Sequence, residues 1–252
     1  YIAALEQAVL THATGALTRI GSEYVEADGP LASVGDYCEI ALGNGNDTAI
    51  AEVVAVDREC IRLLPFSGVR SLRLGARVHA SQHAEAVPVG DDYAGRVIDA
   101  LARPLDNRAR IVPQGHRPRA GRMLPPLDRT VAKERLIAGI RAIDGLLPLG
   151  KGQRIGIFAA SGVGKTSLID QIAHQTDCDR VVLCLVGERG REVENLWRTH
   201  MQERAGERFT LVAATADESA SLRVRAIDQA LGLAEYWRDR GEHVLLIVDS
   251  IT

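Results

Sequence analysis

Residues Gly156 to Ala173 read GIFAASGVGKTSLIDQIA, an apolar run followed by two glycines, a lysine and a threonine. This order suits a phosphate-binding loop between a strand and a helix. Backbone N–H groups at the positive end of a helix dipole attract phosphate oxygens. Ala160, Ser161, Gly162, Val163, Gly164, Lys165, Thr166 and Ser167 are the candidate phosphate-contacting positions. Lys165 has the reach for the β- and γ-phosphates, and the Thr166 hydroxyl suits a Mg2+ shell. The template G-x-x-x-x-G-K-[ST] has Gly where this chain has Ala159. A methyl group there is a small change if φ stays negative, because the two glycines nearest the phosphates are kept.

Two further stretches supply carboxylates. VLLIVDS carries the apolar run Leu245 to Val248 directly before Asp249. A carboxylate at the end of a buried strand can hold Mg2+ through its water shell; an Asp-Ser pair is also a common helix start. VGERGREVENLW places Glu188 after the apolar run LCLVG. In a parallel sheet Glu188 would share the carboxyl edge with the loop, where it can polarise an attacking water. Arg189 is a candidate for the γ-phosphate or for a surface ion pair, and Glu192 for the water and Mg2+ shell or for the acid of a helix first turn.

The elements that must position these residues fall into three zones. Residues 1–82 are expected to form an N-terminal β-barrel domain: ALTRI, YVEA, DYCEIAL, TAIAEVVAV, CIRLL and RVHA alternate with turns such as GNGND. In TAIAEVVAV both faces are largely apolar, which suits a closed sheet. Residues 83–126 are expected to be a connector, because prolines interrupt regular elements and arginines 103, 108, 110, 117, 119 and 122 cluster there. Those arginines lack interleaved aromatic residues, so a solvated connector or a subunit contact is favoured over nucleic acid. Residues 127–252 alternate apolar strands with helices, the pattern of a parallel sheet covered on both faces. The expected strands are Gln153–Ala159, Arg180–Val186, FTLVAAT and HVLLIV; the helices begin at Lys165, near Arg191 and near Ser219. The expected fold is α/β: a P-loop nucleotide domain with an incomplete parallel sheet, preceded by a small all-β barrel.

Composition excludes other classes. With 46% apolar residues, 25% charged residues and a net charge of −3, nothing global points to nucleic acid or to a membrane surface. Cys38, Cys60, Cys178 and Cys184 form no C-x-x-C pair and read as reduced thiols. His79 and His83 are four residues apart but lack a third ligand and an H-E-x-x-H pattern, so no zinc site is expected. The start has neither an initiator Met nor a signal-peptide pattern, and an open sheet would be expected to continue past Thr252. The chain therefore reads as part of a longer protein.

Taken together, FAASGVGKT, VGERGREV and LLIVDS resemble the RecA-like ATPases of flagellar export and type III secretion, relatives of the catalytic subunits of rotary ATP synthases. VPVGDDYAGRVIDALARPLD and ERLIAGIRAIDGLLPLGKGQRIGIFA extend the resemblance. It implies an ATP- and Mg2+-dependent ATPase that powers protein export by releasing chaperones and feeding unfolded substrates, aided by the proton gradient. It also implies a cytoplasmic homohexamer, peripheral at the inner membrane, whose partners are export-gate proteins, a stator-like regulator and chaperone–substrate complexes. By motif match Lys165 and Thr166 serve phosphate and Mg2+, Glu188 is the catalytic carboxylate, and Asp249 is the Mg2+-linked acid. Non-catalytic rotary subunits lack the carboxylate matching Glu188. Family members often have Gly where this chain has Ala160, and their adenine-contacting aromatic, arginine finger and C-terminal chaperone-binding domain lie beyond the point matching Thr252. The alternatives are a truncated paralogue that binds nucleotide without hydrolysing it, a rotary synthase-type subunit, or an RNA-translocating hexameric ATPase.

Overall fold

The computed structural model describes residues 14–43, 47–66, 68–81, 86–119, 125, 132–160, 162–201 and 206–250. The chain divides into two compact units, with the boundary between Ala86 and Val87.

The first unit contains β1 (Thr14–Ile20), β2 (Val25–Ala27), β3 (Tyr37–Ala41), β4 (Thr48–Val56), β5 (Ile61–Pro65) and β6 (Arg77–Ala80). They close into a barrel in the order β1-β2-β5-β4-β3-β6. In β4, Ala49, Ala51 and Val53 are buried and their neighbours are not, so strand alternation aims one set inward. The register then shifts between Val53 and Ala55, a bulge that bends the strand around the small barrel. Leu17, Val25, Ile40, Val53, Leu63 and Val78 pack the interior. Closure leaves no free strand edge. His79 lies in β6, opposite Thr14 and Glu39, so the helical face that would align it with His83 does not form; His83 itself lies outside the described residues.

β7 (Ala86–Val89) begins at the boundary, and the second unit goes on with β8 (Val97–Asp99), β9 (Gly115–Pro118), β10 (Arg135–Leu136), α1 (Arg141–Leu146), β11 (Leu149–Gly150), α2 (Lys165–Gln175), β12 (Arg180–Glu188), α3 (Gly190–Met201), β13 (Phe209–Thr215), α4 (Ala220–Arg238) and β14 (Val244–Asp249). The main sheet has the order β14-β12-β13-β8, and all three strand pairs are parallel. Val181, Leu183, Leu185 and Leu211 share a core with Ala173 of α2 and with Val193, Leu196 and Trp197 of α3. Alternate strand residues face the other way, toward α4, which buries Leu222, Ala226, Ala230, Leu233 and Trp237. Ser219 caps α4 by accepting the Leu222 N–H at 3.3 Å, and Gly241, at φ +90, turns the chain into β14.

Two expectations change. The proline- and arginine-rich segment carries β7, β8 and β9, and β8 completes the sheet beside β13. Its arginines are tied down within the unit: Arg96 pairs with Asp106, Arg117 with Glu235 and Asp239, and Arg119 with Asp228. Proline breaks a long strand but permits three- and four-residue strands on either side of a turn. The second change concerns Gln153–Ala159, expected as a strand. It is not one: residues 153–160 form no ladder and are exposed, with Phe158 at 96%. An apolar run makes a segment able to pair but does not supply the neighbour, and among the described residues nothing pairs with the free side of β14.

The barrel holds a tight backbone crossing at Gly15. A Cβ on Gly15 would sit 2.1 Å from the Gly29 carbonyl oxygen, so no side chain fits without moving main chain. Gly15→Ala should therefore destabilise the barrel unit by about 1–3 kcal/mol, the usual cost of overpacking. The urea midpoint of unfolding would fall while P-loop properties of the second unit stay unchanged.

Candidate nucleotide site

The phosphate loop is built from backbone conformation. Gly162 and Gly164 adopt φ +80 and +96, values that side-chain-bearing residues avoid. Nothing lies within 4 Å of a Cβ built on either, so left-handed geometry rather than crowding demands glycine. Gly164 is the N-cap of α2 and Lys165 its first residue. The first-turn N–H groups of a helix have no carbonyl partner within the helix, and here they border an open cavity of about 510 Å³. Ala159, Ala160, Gly162, Gly164, Lys165 and Thr166 line it. Val163 is 66% exposed, and Thr166 and Ser167 are exposed on the first turn. Ser161 lies outside the described residues.

The sheet brings the carboxylates to this loop. Asp249 closes β14 in register with Leu185 of β12, and it is 7% exposed. Its Oδ1 accepts from Lys165 Nζ at 2.5 Å. That hydrogen bond, aided by the charge of the same carboxylate and of Glu188, raises the Lys165 pKa above its ordinary value. Glu188 stands at the end of β12, past a register shift at Gly187, whose φ is +77. Its carbonyl accepts the Ala216 N–H at 3.2 Å, which fixes the strand end. A bulge of this kind re-aims a side chain at the rim of a sheet.

One turn on, Glu192 lies in the first turn of α3. The Glu188 carboxyl is pushed up to about 7, first by its hydrogen bond with Glu192, then by burial and by the charges of Glu192 and Asp249; Lys165 opposes them. Two carboxylates that share one proton behave in this way. The spacing of four residues was visible in the sequence, but only the strand-to-helix turn makes Glu188 and Glu192 partners. Lys165, Asp249, Glu188 and Glu192 are thus brought together. Arg189 is exposed and forms no ion pair with a described residue.

Among the described residues no group of three or more His, Cys, Asp or Glu could hold a metal ion alone. The donors present, one hydroxyl at Thr166 and one carboxylate at Asp249, fit instead a hard cation that keeps its waters and takes phosphate oxygens.

Comparisons with known proteins agree with this geometry. Residues 139–252 match the ATP synthase alpha/beta family, nucleotide-binding domain, and residues 18–82 match the beta-barrel domain of the same family. This chain belongs to the ATP synthase alpha/beta family. Within the family it is similar to the flagellum-specific ATP synthase of Bacillus subtilis, 41% identical over 94% of this chain and 55% of that protein. It is also similar to the type 3 secretion system ATPase of Sinorhizobium fredii, 37% identical over 94% of this chain and 53% of that one. Among solved structures, the ATPase EscN of the enteropathogenic E. coli type III secretion system, in complex with its central stalk EscO, matches with a TM-score of 0.85 at 37% identity. That match covers 94% of this chain and 57% of EscN. The chain spans about half the length of the curated relatives it matches. For this member of the family, ATP is the nucleotide that the matched domain supports.

The raised Glu188 pKa has a definite sign. The folded state keeps a proton that the unfolded chain releases near pH 4.5, so this group's contribution to stability falls as pH rises from about 4.5 to about 7. Glu192→Gln removes the shared negative charge and should move the Glu188 titration toward the ordinary carboxylate range. Carboxyl carbon chemical shifts followed across pH 4 to 8 would read it; an unchanged midpoint would mean that Glu192 is not the cause.

Proposed function

We propose that the chain is the nucleotide-hydrolysing part of an ATPase that drives protein export through a flagellar or type III secretion apparatus. The observation that carries the hydrolytic part is Glu188, a carboxylate at a strand end beside the Lys165–Asp249 pair. In this reading the open loop amides and Lys165 bind the β- and γ-phosphates of ATP. Thr166 and Asp249, the latter through water, hold Mg2+, with Glu192 adding to its water shell. Bound there, Mg2+ neutralises charge on the phosphates during transfer. Glu188 accepts a proton from, and orients, the water that attacks the γ-phosphate. Its affinity for a proton near neutral pH suits that task better than an ordinary carboxylate would. Lys165 must turn from Asp249 to phosphate, so the resting ion pair holds it at the edge of the site until substrate arrives. In this reading Arg189, exposed just before α3, serves the γ-phosphate.

The export assignment rests on similarity to flagellum-specific and type 3 secretion ATPases. The assembled state of EscN and its complex with a central stalk support a homohexamer with a stalk or regulator partner, joined by export-gate proteins and chaperone–substrate complexes. No described helix is long and apolar enough to cross a membrane, which suits peripheral attachment at the cytoplasmic face of the inner membrane. Arg117 and Arg119 are engaged by acidic residues of α4, which weighs against an RNA-translocating role.

The test is single-turnover hydrolysis by the full-length gene product. Lys165→Ala should weaken nucleotide binding and abolish turnover. Glu188→Gln should keep binding but lower the rate by about 10²–10⁴-fold, the range for losing a general base. Full activity in both variants would overturn the site assignment.

A further inference from the structure

α2 carries the phosphate loop at its first turn, yet it is lightly packed. Ala173, near its far end, is the one residue of this helix that is fully buried. The segment leading into it, residues 153–160, pairs with no strand. At its first turn the helix is held by the Lys165–Asp249 contact. In the proposed function that contact is given up when Lys165 turns to phosphate. Something else must then fix the axis of α2 against the sheet.

Arg208 is built for that task. It sits directly before β13, and its Nη2 donates to the Ala173 carbonyl at 3.4 Å and to the Thr176 carbonyl at 2.5 Å. The same nitrogen lies 3.2 Å from Cys178 Sγ. The guanidinium also lies over the Phe209 ring, at 5.7 Å from its centroid. The carbonyls at a helix C-terminus have no partner within the helix and form the negative end of its dipole, so a cation there is favourable. Nearby contacts converge on the same end. The Thr176 hydroxyl donates to the Ile172 carbonyl at 2.6 Å, and His174 packs on Phe209 with ring centroids 5.4 Å apart. The Asp177 N–H reaches the Ile137 carbonyl at 3.1 Å. Lys165 lies about 15 Å away along the helix, at 1.5 Å per residue. A tilt at the clamped end is therefore carried to the loop by a rigid element.

We propose that Arg208 is a positioning residue. It anchors the C-terminus of α2 to the start of β13 and so sets where Lys165 and Thr166 stand relative to Asp249. It touches no nucleotide. The inference deepens the proposed function and rests on it only where nucleotide is measured.

The experiment compares Arg208→Ala, Arg208→Lys and Arg119→Ala in the full-length protein. Two readouts are taken on protein shown to be folded by its thermal transition. The first, without nucleotide, is amide hydrogen exchange along α2. Arg208→Ala should speed exchange at the hydrogen-bonded amides of α2, from Leu168 onward, by about tenfold while β12 and β13 stay at the wild-type rate. The second is the dissociation constant for fluorescent ADP, which should weaken by about tenfold, the effect of roughly one hydrogen-bonded ion contact. Arg208→Lys, keeping the cation but losing the guanidinium fork, should recover most of both losses. Arg119→Ala, which removes an ion pair from the residue after β9 to Asp228 of α4, should change neither readout. Unchanged exchange at the hydrogen-bonded amides of α2 in Arg208→Ala, or unchanged ADP affinity where the wild type binds, overturns the proposal. If Arg208→Ala does not fold, the same comparisons on Arg208→Gln decide it. If the wild type binds no nucleotide, the nucleotide reading fails, and the exchange result still decides the role of Arg208.

Discussion

The contact between Lys165 Nζ and Asp249 Oδ1 ties the start of α2 to the end of β14. These residues are 84 apart in sequence, and the rest of the second unit exists in part to make them neighbours. Parallel pairing puts the carboxyl ends of β12 and β14 on one edge of the sheet, in a register that sets Leu185 opposite Asp249. The loop that precedes α2 opens on that same edge. A ligand site at the carboxyl ends of parallel strands is the general outcome of this architecture, because helix N-termini and strand ends converge there.

Charge balance shapes what this edge can do. Asp249 and Glu188 act on Lys165, and the hydrogen bond from Glu188 to Glu192, then burial, then the negative charges of Glu192 and Asp249 raise the Glu188 pKa to about 7. A cation, or a phosphate-bound cation, would relieve that repulsion. The Lys165–Asp249 pair satisfies two of these four groups.

Much of the second unit was legible in its residues. Apolar period and length located α2, β13 and β14 to within a residue or so, because strands buried on both faces are nearly all apolar and the helix after a G-K-T loop has a defined start. The six barrel strands were legible because turn residues separate them cleanly. β8 was hidden for the opposite reason. It is three residues long, stands beside prolines, and becomes a strand only because β13 offers an edge. Residues 153–159 show the converse, an apolar run with strand composition and no ladder.

The sequence by itself determined the chemistry available: two glycines able to take positive φ, a lysine and a hydroxyl at a helix start, and carboxylates at the ends of apolar runs. Residue type decides charge, donor capacity and backbone freedom, and these are local properties. Only the tertiary structure decided which of them meet. The register of β12 against β14 brought Asp249 to Lys165, the bulge at Gly187 turned Glu188 toward Glu192, and the fold delivered Arg208 to the far end of α2. Such meetings depend on strand order and helix packing between residues far apart in the chain, which no local pattern encodes.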